Sequence, residues 1–349
     1  MFKWTASKIN AANYCIFRFW LRYFDPLKPE PLRLSAYVKG SLSHDLIENF
    51  WKRIGTPEEV ASTSKKFKDK KYFDAESFSK YAKGKWTSII MADEKAENKI
   101  HWKDKDEKWF IRANLPKICE PFFPFLQNEG PPLFSEFAID VYLNGRYYHG
   151  RMDEIRKREN KIIIRDWKSG NPWIGEMKLK HDPQLTLYNF LFCSHANKNK
   201  EFAEKLGLEE KITEQYMGNP LYVDPNIELQ FGMIEALSIN LDSPKIKTIP
   251  ELVRKTARTN ENFFELVKMI DGSEKSVRTG NVYAERGRKC DYCDMSVACD
   301  KKLNEVGSEI FVDKKGQYFM DFAKPSFIKK EEPPKKDKSQ KRFNFRYKL

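Results

Sequence analysis

The stretch that decides the fold is residues 150–170, GRMDEIRKRENKIIIRDWKSG. It predicts two β-strands joined by a turn, and three consecutive isoleucines indicate that the second strand is buried. Asp153 ends the first strand, and Asp166 and Lys168 end the second. Because alternate residues of a strand share a face, Asp166 and Lys168 should point to one side of the sheet while Trp167 packs on the other.

Two carboxylates and an ammonium at the edge of a buried sheet are typical of a functional site, because charges held away from water are costly unless they have a partner. Carboxylate oxygens suit Mg²⁺ or Mn²⁺, and a nearby ammonium can neutralise a phosphate or position an attacking water. An acid two residues before a lysine is also a common pattern. Taken alone, it fits an exposed ion pair at a strand end.

The sequence before this stretch completes a small sheet. The segment FSEFAIDVYL alternates between apolar and polar side chains, and Asn144 and Gly145 after it are a strong hairpin signal. The pattern therefore predicts a three-stranded antiparallel meander across residues 134–168. Beyond it, Asp182 and Pro183 predict the N-cap and first position of a helix.

The rest of the chain has a mostly helical pattern with one further strand region. The predicted helices are 6–24 with Ser7 as N-cap, 36–54, 57–128, 183–193, 198–216 and 249–270, and the strand region is 220–241. We expect one α/β domain over residues 1–325. Its predicted parts are a helical elaboration at about 55–130, a catalytic core at about 133–195 and a cysteine segment at 288–300. The basic tail 326–349 lacks a core pattern and is expected to be disordered.

The composition favours a polyanionic partner. The 349 residues include 63 Lys and Arg against 50 Asp and Glu, a formal charge of +13. That excess fits nucleic acid first and an acidic membrane surface second, and it also fits a solubilising surface. No stretch approaches the ~18 apolar residues that span a bilayer, and the start lacks the apolar run of a signal peptide. We therefore expect a soluble cytoplasmic or otherwise intracellular protein that has no membrane partner.

Two predicted helices add polar side chains at helical spacing. His44 and Glu48 are four residues apart on the helix 36–54, and Gln184 and Tyr188 are four apart on the helix that follows the sheet. Each pair therefore shares one helical face. Taken singly, each pair also fits a partly buried hydrogen bond or a surface patch.

Together and in this order, these residues resemble the PD-(D/E)XK nuclease superfamily, in particular its RecB-like branch, over about residues 1–300. The matching positions are Gly40, His44 and Glu48; Gly150 and Asp153; Asp166 and Lys168; and Gln184 and Tyr188. Asp166 stands where the superfamily more often has glutamate, so the ligand's reach is slightly shorter. The resemblance implies a restriction-endonuclease-like α/β core with a central mixed sheet flanked by helices and a helical insertion.

The resemblance also implies a role for each matching side chain. The residues implied to hold Mg²⁺ or Mn²⁺ are His44, Asp153, Asp166 and, through its backbone carbonyl, Trp167. Those implied to act on the substrate or around the metal are Lys168, Gln184, Tyr188 and Glu48. Lys168 would orient or activate the attacking water, while Gln184 and Tyr188 would contact the DNA backbone or brace the lysine. Glu136, on the first predicted strand, is a weaker candidate for the same site.

The six cysteines indicate a second metal centre. Cys290, Cys293 and Cys299 follow the spacing C-x2-C-x5-C, and three clustered thiols in an intracellular protein need a fourth ligand. Cys15, on the first predicted helix, is the best candidate. The two that fit plain buried cysteines are Cys119 and Cys193. This chemistry by itself leaves a structural Zn²⁺ site open.

The resemblance favours iron over zinc. A subset of RecB-like nucleases, including the AddB subunit, CRISPR-adaptation nucleases and certain single-strand exonucleases, has one cysteine before the nuclease motifs and three after them in this spacing. These proteins ligate a [4Fe–4S] cluster. The implied ligands here are Cys15, Cys290, Cys293 and Cys299. The cluster would be a staple joining the N- and C-terminal segments, because a cross-link that closes a long loop restricts the unfolded chain most.

Two functions of different class follow from these observations. The first is a metal-dependent deoxyribonuclease, an exonuclease on single-stranded DNA or DNA ends in repair, recombination, replication or CRISPR adaptation. The alternative is a non-catalytic DNA-binding module that keeps the nuclease fold as the partner of a helicase or integrase complex. The chain has no G-x-x-x-x-G-K-[ST] motif, so any helicase motor would be a separate subunit.

Overall fold

A computed structural model describes residues 2–53, 75–159, 161–168, 175–208, 223–233, 253–285, 287–305, 311–312 and 318–319. Parts of the predicted segments 55–130, 198–216, 220–241 and 249–270, and the whole predicted tail 326–349, lie outside these residues.

The described helices and strands alternate along the chain. The helices are α1 (Ala6–Tyr14), α2 (Ile16–Tyr23), α3 (Ser35–Arg53), α4 (Ala75–Lys95), α5 (Glu107–Glu129), α6 (Glu176–Lys180), α7 (Pro183–Lys198), α8 (Lys200–Lys205), α9 (Asn260–Arg278) and α10 (Ser296–Glu305). The strands are β1 (Lys3–Thr5), β2 (Arg33–Leu34), β3 (Ile100–His101), β4 (Phe134–Leu143), β5 (Arg146–Arg158), β6 (Lys161–Lys168), β7 (Glu228–Met233), β8 (Val253–Thr256), β9 (Phe311–Val312) and β10 (Tyr318–Phe319).

A six-stranded mixed sheet has the order β1–β5–β6–β7–β8, with β4 also paired to β5. β1 runs parallel to β5 and β7 runs parallel to β6, while the other pairs in this sheet are antiparallel. The predicted mixed sheet and the predicted meander are therefore confirmed. Between β4 and β5, Asn144 and Gly145 have φ values of 49° and 78°. This left-handed geometry is what a two-residue hairpin turn requires.

The middle of β5 is open along one edge. β4 pairs with β5 between Arg146 and Ile155 and so occupies the other edge. On the open edge, β1 pairs only as far as His149, and β6 pairs only from Glu154 onward. Within the described strands, residues 150–153 therefore lie in a gap between β1 and β6. Side chains from elsewhere in the fold can reach the sheet at this gap.

The first predicted helix is wrong in two respects. The chain forms two helices, because Cys15 interrupts the helical backbone with φ −167° and ψ 121°. The N-cap is Thr5, whose Oγ1 accepts a hydrogen bond from the Lys8 N–H at 3.2 Å, and not Ser7. Neither glycine nor proline marks the break at Cys15, so the sequence pattern did not reveal it. The interruption places the thiol at a corner between α1 and α2.

The predicted helix 249–270 is also wrong at its start. Val253–Thr256 forms β8, the antiparallel partner of β7. The helix α9 begins only at Asn260, after a capping box in which Thr259 and Asn262 bond each other's backbone N–H groups. The region 57–128, predicted to be helical, forms α4 and α5 in its described part, and a turn containing β3 separates them. The helix predicted to end near residue 193 continues to Lys198.

Helices cover both faces of the sheet. One core packs α1, α2, α7 and α9 against the sheet, with Phe17, Ile164 and Leu187 fully buried. The other core packs α3, α4 and α5 against Trp167, whose ring meets that of Phe122 edge-on at 5.4 Å. Trp167 thus packs away from its two charged neighbours, as predicted, and the helical elaboration covers one side of the sheet. Within the described residues, no helix is both long and apolar enough to cross a bilayer.

Replacing Gly150 with alanine should destabilise the protein by about 1–3 kcal/mol, the usual cost of overpacking. A Cβ at this position would lie 2.5 Å from Leu191 Cδ1 and 3.2 Å from the Tyr188 ring, so the buried Leu191 side chain would have to shift or α7 would have to move away from β5. Urea denaturation measures the effect. Gly84→Ala is the matched control: a Cβ there meets nothing within 4 Å, and alanine inside α4 should stabilise by about 0.5–1 kcal/mol. Equal free energies of unfolding for the two variants would contradict the prediction.

Candidate active site

Asp153 lies inside β5, which continues to Arg158, and not at the end of a strand as the sequence predicted. It is the last residue of the stretch 150–153 of β5 that faces the gap between β1 and β6, and it is 8% exposed. Its Oδ2 accepts a hydrogen bond from the backbone N–H of Trp167 at 2.6 Å. The carboxylate of β5 is thereby fixed against the end of β6, next to Asp166 and Lys168.

Asp166 and Lys168 form an ion pair that α7 holds in place. Lys168 Nζ is 2.6 Å from Asp166 Oδ2 and donates a hydrogen bond to Gln184 Oε1 at 2.8 Å. Gln184 Nε2 donates to Asp166 Oδ1 at 2.6 Å and to the Tyr188 hydroxyl at 2.8 Å. The amide therefore bridges both members of the pair. Asp182 caps α7 by accepting hydrogen bonds from the N–H groups of Gln184 and Leu185, as the N-cap prediction required.

His44 approaches Asp153 from α3, which belongs to the helical layer on the Trp167 side of the sheet. The apolar side of α3, including Leu46 and Phe50, is buried against α4 and α5, and the imidazole is directed toward the sheet. His44 Nδ1 lies 3.3 Å from Asp153 Oδ2. Ligand atoms of His44, Asp153 and Glu136 all lie within 4.8 Å of one another. Three residues from α3, β4 and β5 thus converge as a potential cation site.

Glu136, which the sequence analysis gave as a weaker candidate, belongs to this group. It faces Asp153 between the register pairs Ser135–Glu154 and Phe137–Met152. It has a left-handed φ of 53°, an uncommon conformation for glutamate that is often associated with functional sites. The alternation of apolar and polar residues along β4 reveals neither the left-handed backbone at Glu136 nor the carboxylate of Asp153 opposite it. The only sequence signal was an acid on the neighbouring strand.

Glu48 lies within electrostatic reach of the same group. Burial, followed by the charge of Asp153, raises the pKa of Glu136, and the charge of Glu48 contributes in the same direction. Burial lowers the pKa of His44, but the hydrogen bond and charge of Asp153 and the charge of Asp166 outweigh this and raise it. The raised pKa of His44 reflects the negative charges of the carboxylates around its imidazole.

Asp166 is the most perturbed carboxyl group at the site. Burial raises its pKa to about 6; Lys168 opposes this shift, and the neighbouring Asp153 carboxylate adds to it. Its buried Oδ2 lies 2.6 Å from Lys168 Nζ, the counter-ion of this carboxylate. Burial likewise raises the pKa of Tyr188 well above its usual value, so this hydroxyl remains neutral.

The donor set of the site fits a hard divalent cation. Four carboxylates, those of Glu48, Glu136, Asp153 and Asp166, exceed the nearby cationic side chains in number. Oxygen ligands with one imidazole suit Mg²⁺ or Mn²⁺, and a bound cation would oppose the burial and the Asp153 charge that raise the pKa of Asp166. The structure brings the predicted residues to one region, with Lys168, Gln184 and Asp166 in a hydrogen-bonded group beside the His44–Glu136–Asp153 group.

The four cysteines predicted as ligands line one pocket. Cys15, at the corner between α1 and α2, faces Cys290, Cys293 and Cys299 across it. Within the described residues, no three of these thiols lie within 4.8 Å of one another. Cys119 and Cys193 are buried in the two cores, as predicted.

The cysteine segment is also attached to α2 by protein contacts alone. Asp294, 1% exposed, accepts a hydrogen bond from Arg18 Nε at 2.6 Å and a second from Arg22. Its backbone carbonyl accepts one from the Leu32 N–H at 2.7 Å. No local sequence pattern indicates the contacts with Arg18 and Arg22, because these residues lie 276 and 272 positions before Asp294.

Comparisons with known proteins point to one family. The family model of the PD-(D/E)XK nuclease superfamily matches residues 3–300. Two solved structures are similar: SSO0001, with a TM-score of 0.28 and 11% identity, covering 76% of this chain and 100% of that one, and a candidate exonuclease from Eubacterium rectale, with a TM-score of 0.32 and 15% identity, covering 85% and 87%. These scores are too low to support a conclusion. No curated protein matches the chain.

Proposed function

Because the chain belongs to the PD-(D/E)XK nuclease superfamily, we propose that it is a metal-dependent deoxyribonuclease. The observation that carries this proposal is the convergence of His44, Glu136 and Asp153 beside the Asp166–Lys168 ion pair. Residues from α3, β4, β5 and β6 lie close together at the gap between β1 and β6. A phosphodiester placed at this gap would meet acids suited to a cation and an ammonium suited to a phosphate.

We propose that Mg²⁺ or Mn²⁺ is held by His44, Asp153 and Asp166, with the Trp167 carbonyl as a further ligand and Glu136 added from β4. When bound, the cation supplies Lewis-acid polarisation of the phosphate and makes a nearby water more acidic. Glu48 lies outside this ligand set, and its negative charge acts on the Glu136 carboxylate.

Lys168 stabilises the charge that develops on the phosphate and orients the attacking water. Burial lowers the pKa of Lys168, but the charge and hydrogen bond of Asp166 outweigh this and raise it. The side chain is therefore cationic at neutral pH and does not act as a base in this state. Gln184 fixes the ammonium through Oε1, and the Tyr188 hydroxyl fixes the orientation of the Gln184 amide. Both residues thus position Lys168.

We propose single-stranded DNA or DNA ends as the substrate and exonucleolytic cleavage as the activity. The formal charge of +13 supports a polyanionic substrate. Roles in repair, recombination, replication or CRISPR adaptation, and a partnership with a separate helicase, stay predictions.

An end-blocking assay tests this function. The protein with Mg²⁺ or Mn²⁺ should degrade linear single-stranded DNA, and EDTA should stop the reaction. A block at the end where the enzyme enters should protect the strand, and a circular strand should resist cleavage. Cleavage of the circle would instead indicate an endonuclease. DNA binding without cleavage of any substrate would favour the non-catalytic binding module.

We further propose that Cys15, Cys290, Cys293 and Cys299 hold a [4Fe–4S] cluster that staples the two ends of the domain. The shared pocket supports a common group. Iron in place of a single zinc ion is supported by the resemblance of this arrangement, one cysteine far upstream and three in the spacing C-x2-C-x5-C, to the cluster-binding subset of RecB-like nucleases.

A further inference from the structure

Arg151 lies at the rim of the candidate metal site. Its Nε is 2.8 Å from Glu136 Oε2, and its side chain is 67% exposed against 17% for Glu136. It precedes Asp153 by two residues and pairs with Ala138 on β4, so it lies within the gap between β1 and β6. The roles proposed above do not include it.

The contact with Glu136 does little as a stabilising feature. An ion pair with one member this exposed contributes little to stability, because water screens it. Glu136, however, is one of the three residues whose ligand atoms converge. Arg151 therefore provides the positive charge next to a carboxylate that a divalent cation would also attract.

A cation on this group would compete directly with Arg151. A doubly charged ion among three ligands attracts the Glu136 carboxylate more strongly than an exposed guanidinium does. The released side chain would have room to move, because most of it is in solvent. Its planar fork can make two parallel hydrogen bonds to phosphate oxygens, which a lysine cannot do.

We propose that Arg151 is a substrate-binding residue that Glu136 holds in the metal-free protein and releases to a DNA backbone phosphate when a cation occupies the His44–Glu136–Asp153 group. This inference rests on the proposed nuclease function. It couples the two binding events: the ion that prepares the site for hydrolysis also frees the cation that grips the strand. DNA affinity then depends on metal through a protein side chain.

DNA binding tests this coupling without cleavage. The variants are compared in a Lys168→Ala background, using fluorescence anisotropy with labelled single-stranded DNA in Mn²⁺ and in EDTA. Adding Arg151→Ala should weaken binding about tenfold in Mn²⁺, the size expected for loss of a charge-assisted phosphate contact. In EDTA, where Glu136 holds the guanidinium, the loss should be less than about twofold.

Metal binding provides a second readout of opposite sign. In a calorimetric titration with Mn²⁺ alone, Arg151→Ala should bind about 2–5 times more tightly, because the competing charge on Glu136 is gone. Lys80→Ala is the matched control, since it removes one positive charge from an exposed pair with Glu76 on α4. It should leave Mn²⁺ affinity unchanged and lower DNA affinity slightly and equally in both conditions.

Two outcomes would overturn the proposal. Equal weakening of DNA binding in Mn²⁺ and EDTA would make Arg151 an ordinary surface charge, and unchanged or weaker Mn²⁺ binding would exclude its release by metal. Failure of the proposed function is distinguishable, because it would show as an unblocked strand left intact by the wild-type protein. The anisotropy and calorimetry results do not depend on that assay.

Discussion

Replacing Lys168 with alanine should lower the rate of DNA cleavage about 100- to 1,000-fold, the cost of removing one preorganised group that stabilises developing charge. The ammonium is held by Asp166 and Gln184 at 2.6 and 2.8 Å, so it needs no reorganisation during the reaction. Its interaction with the phosphate strengthens as charge builds up, and the loss should therefore appear in the rate more than in DNA affinity. Single-turnover cleavage of single-stranded DNA with saturating Mg²⁺ measures it.

The control for this variant comes from the same strand. Lys161→Ala removes an exposed lysine at the other end of β6 and should cleave at the wild-type rate. Because Lys168→Ala leaves Asp166 buried without its counter-ion, circular dichroism and urea denaturation must show that the variant is folded. A folded Lys168→Ala protein that cleaves as fast as wild type would exclude the proposed role. If neither this variant nor wild type cleaves, the binding-module alternative gains support.

The parts of the fold that were predicted correctly depend on local signals. Asn144 and Gly145 fix the hairpin because few residues adopt a left-handed conformation at both positions. Asp182 and Pro183 fix the start of α7 through the capping carboxylate and the missing N–H of proline. Alternation along β6 was sufficient to place Asp166 and Lys168 on one face.

The parts that were missed depend on pairing between distant segments. β8 lies in a segment that the sequence pattern predicted to be helical, and its strand conformation comes from pairing with β7, which no local pattern contains. The position of Glu136 also depends on pairing between strands. β4 places it opposite Asp153, beside the part of β5 that neither β1 nor β6 pairs with. Arg151 and Asp294 also gain their significance from partners on other elements. Local patterns therefore indicated the candidate ligands in the sequence motifs, while the tertiary fold brings together the neighbouring side chains whose charges act on them.

Replacing Cys15 with serine should abolish the cluster and lower the free energy of unfolding by about 2–5 kcal/mol, the range for losing a cross-link that closes a long loop. Cys15 is the only proposed ligand from the N-terminal part of the chain, so this change removes the staple while leaving the C-x2-C-x5-C segment intact. The measurements are broad visible absorbance, iron and sulfide content of the purified protein, and urea denaturation. Cys193→Ser is the matched control: serine there can keep the hydrogen bond to Asn189 Oδ1 that the thiol donates at 3.2 Å, so iron content should stay at the wild-type level.

The expected loss is partial because Asp294 still binds Arg18 and Arg22 when the cluster is absent. The Cys15→Ser protein should therefore stay folded, with the cysteine segment attached to α2. Adding Asp294→Asn weakens this second attachment and should lower stability by more than the sum of the two single changes, since each attachment limits the freedom that the loss of the other releases. If the purified wild-type protein contains zinc and no iron, the four cysteines form a zinc site and the cluster proposal is wrong. A Cys15→Ser protein with full iron content and unchanged stability would show that the staple does not include Cys15.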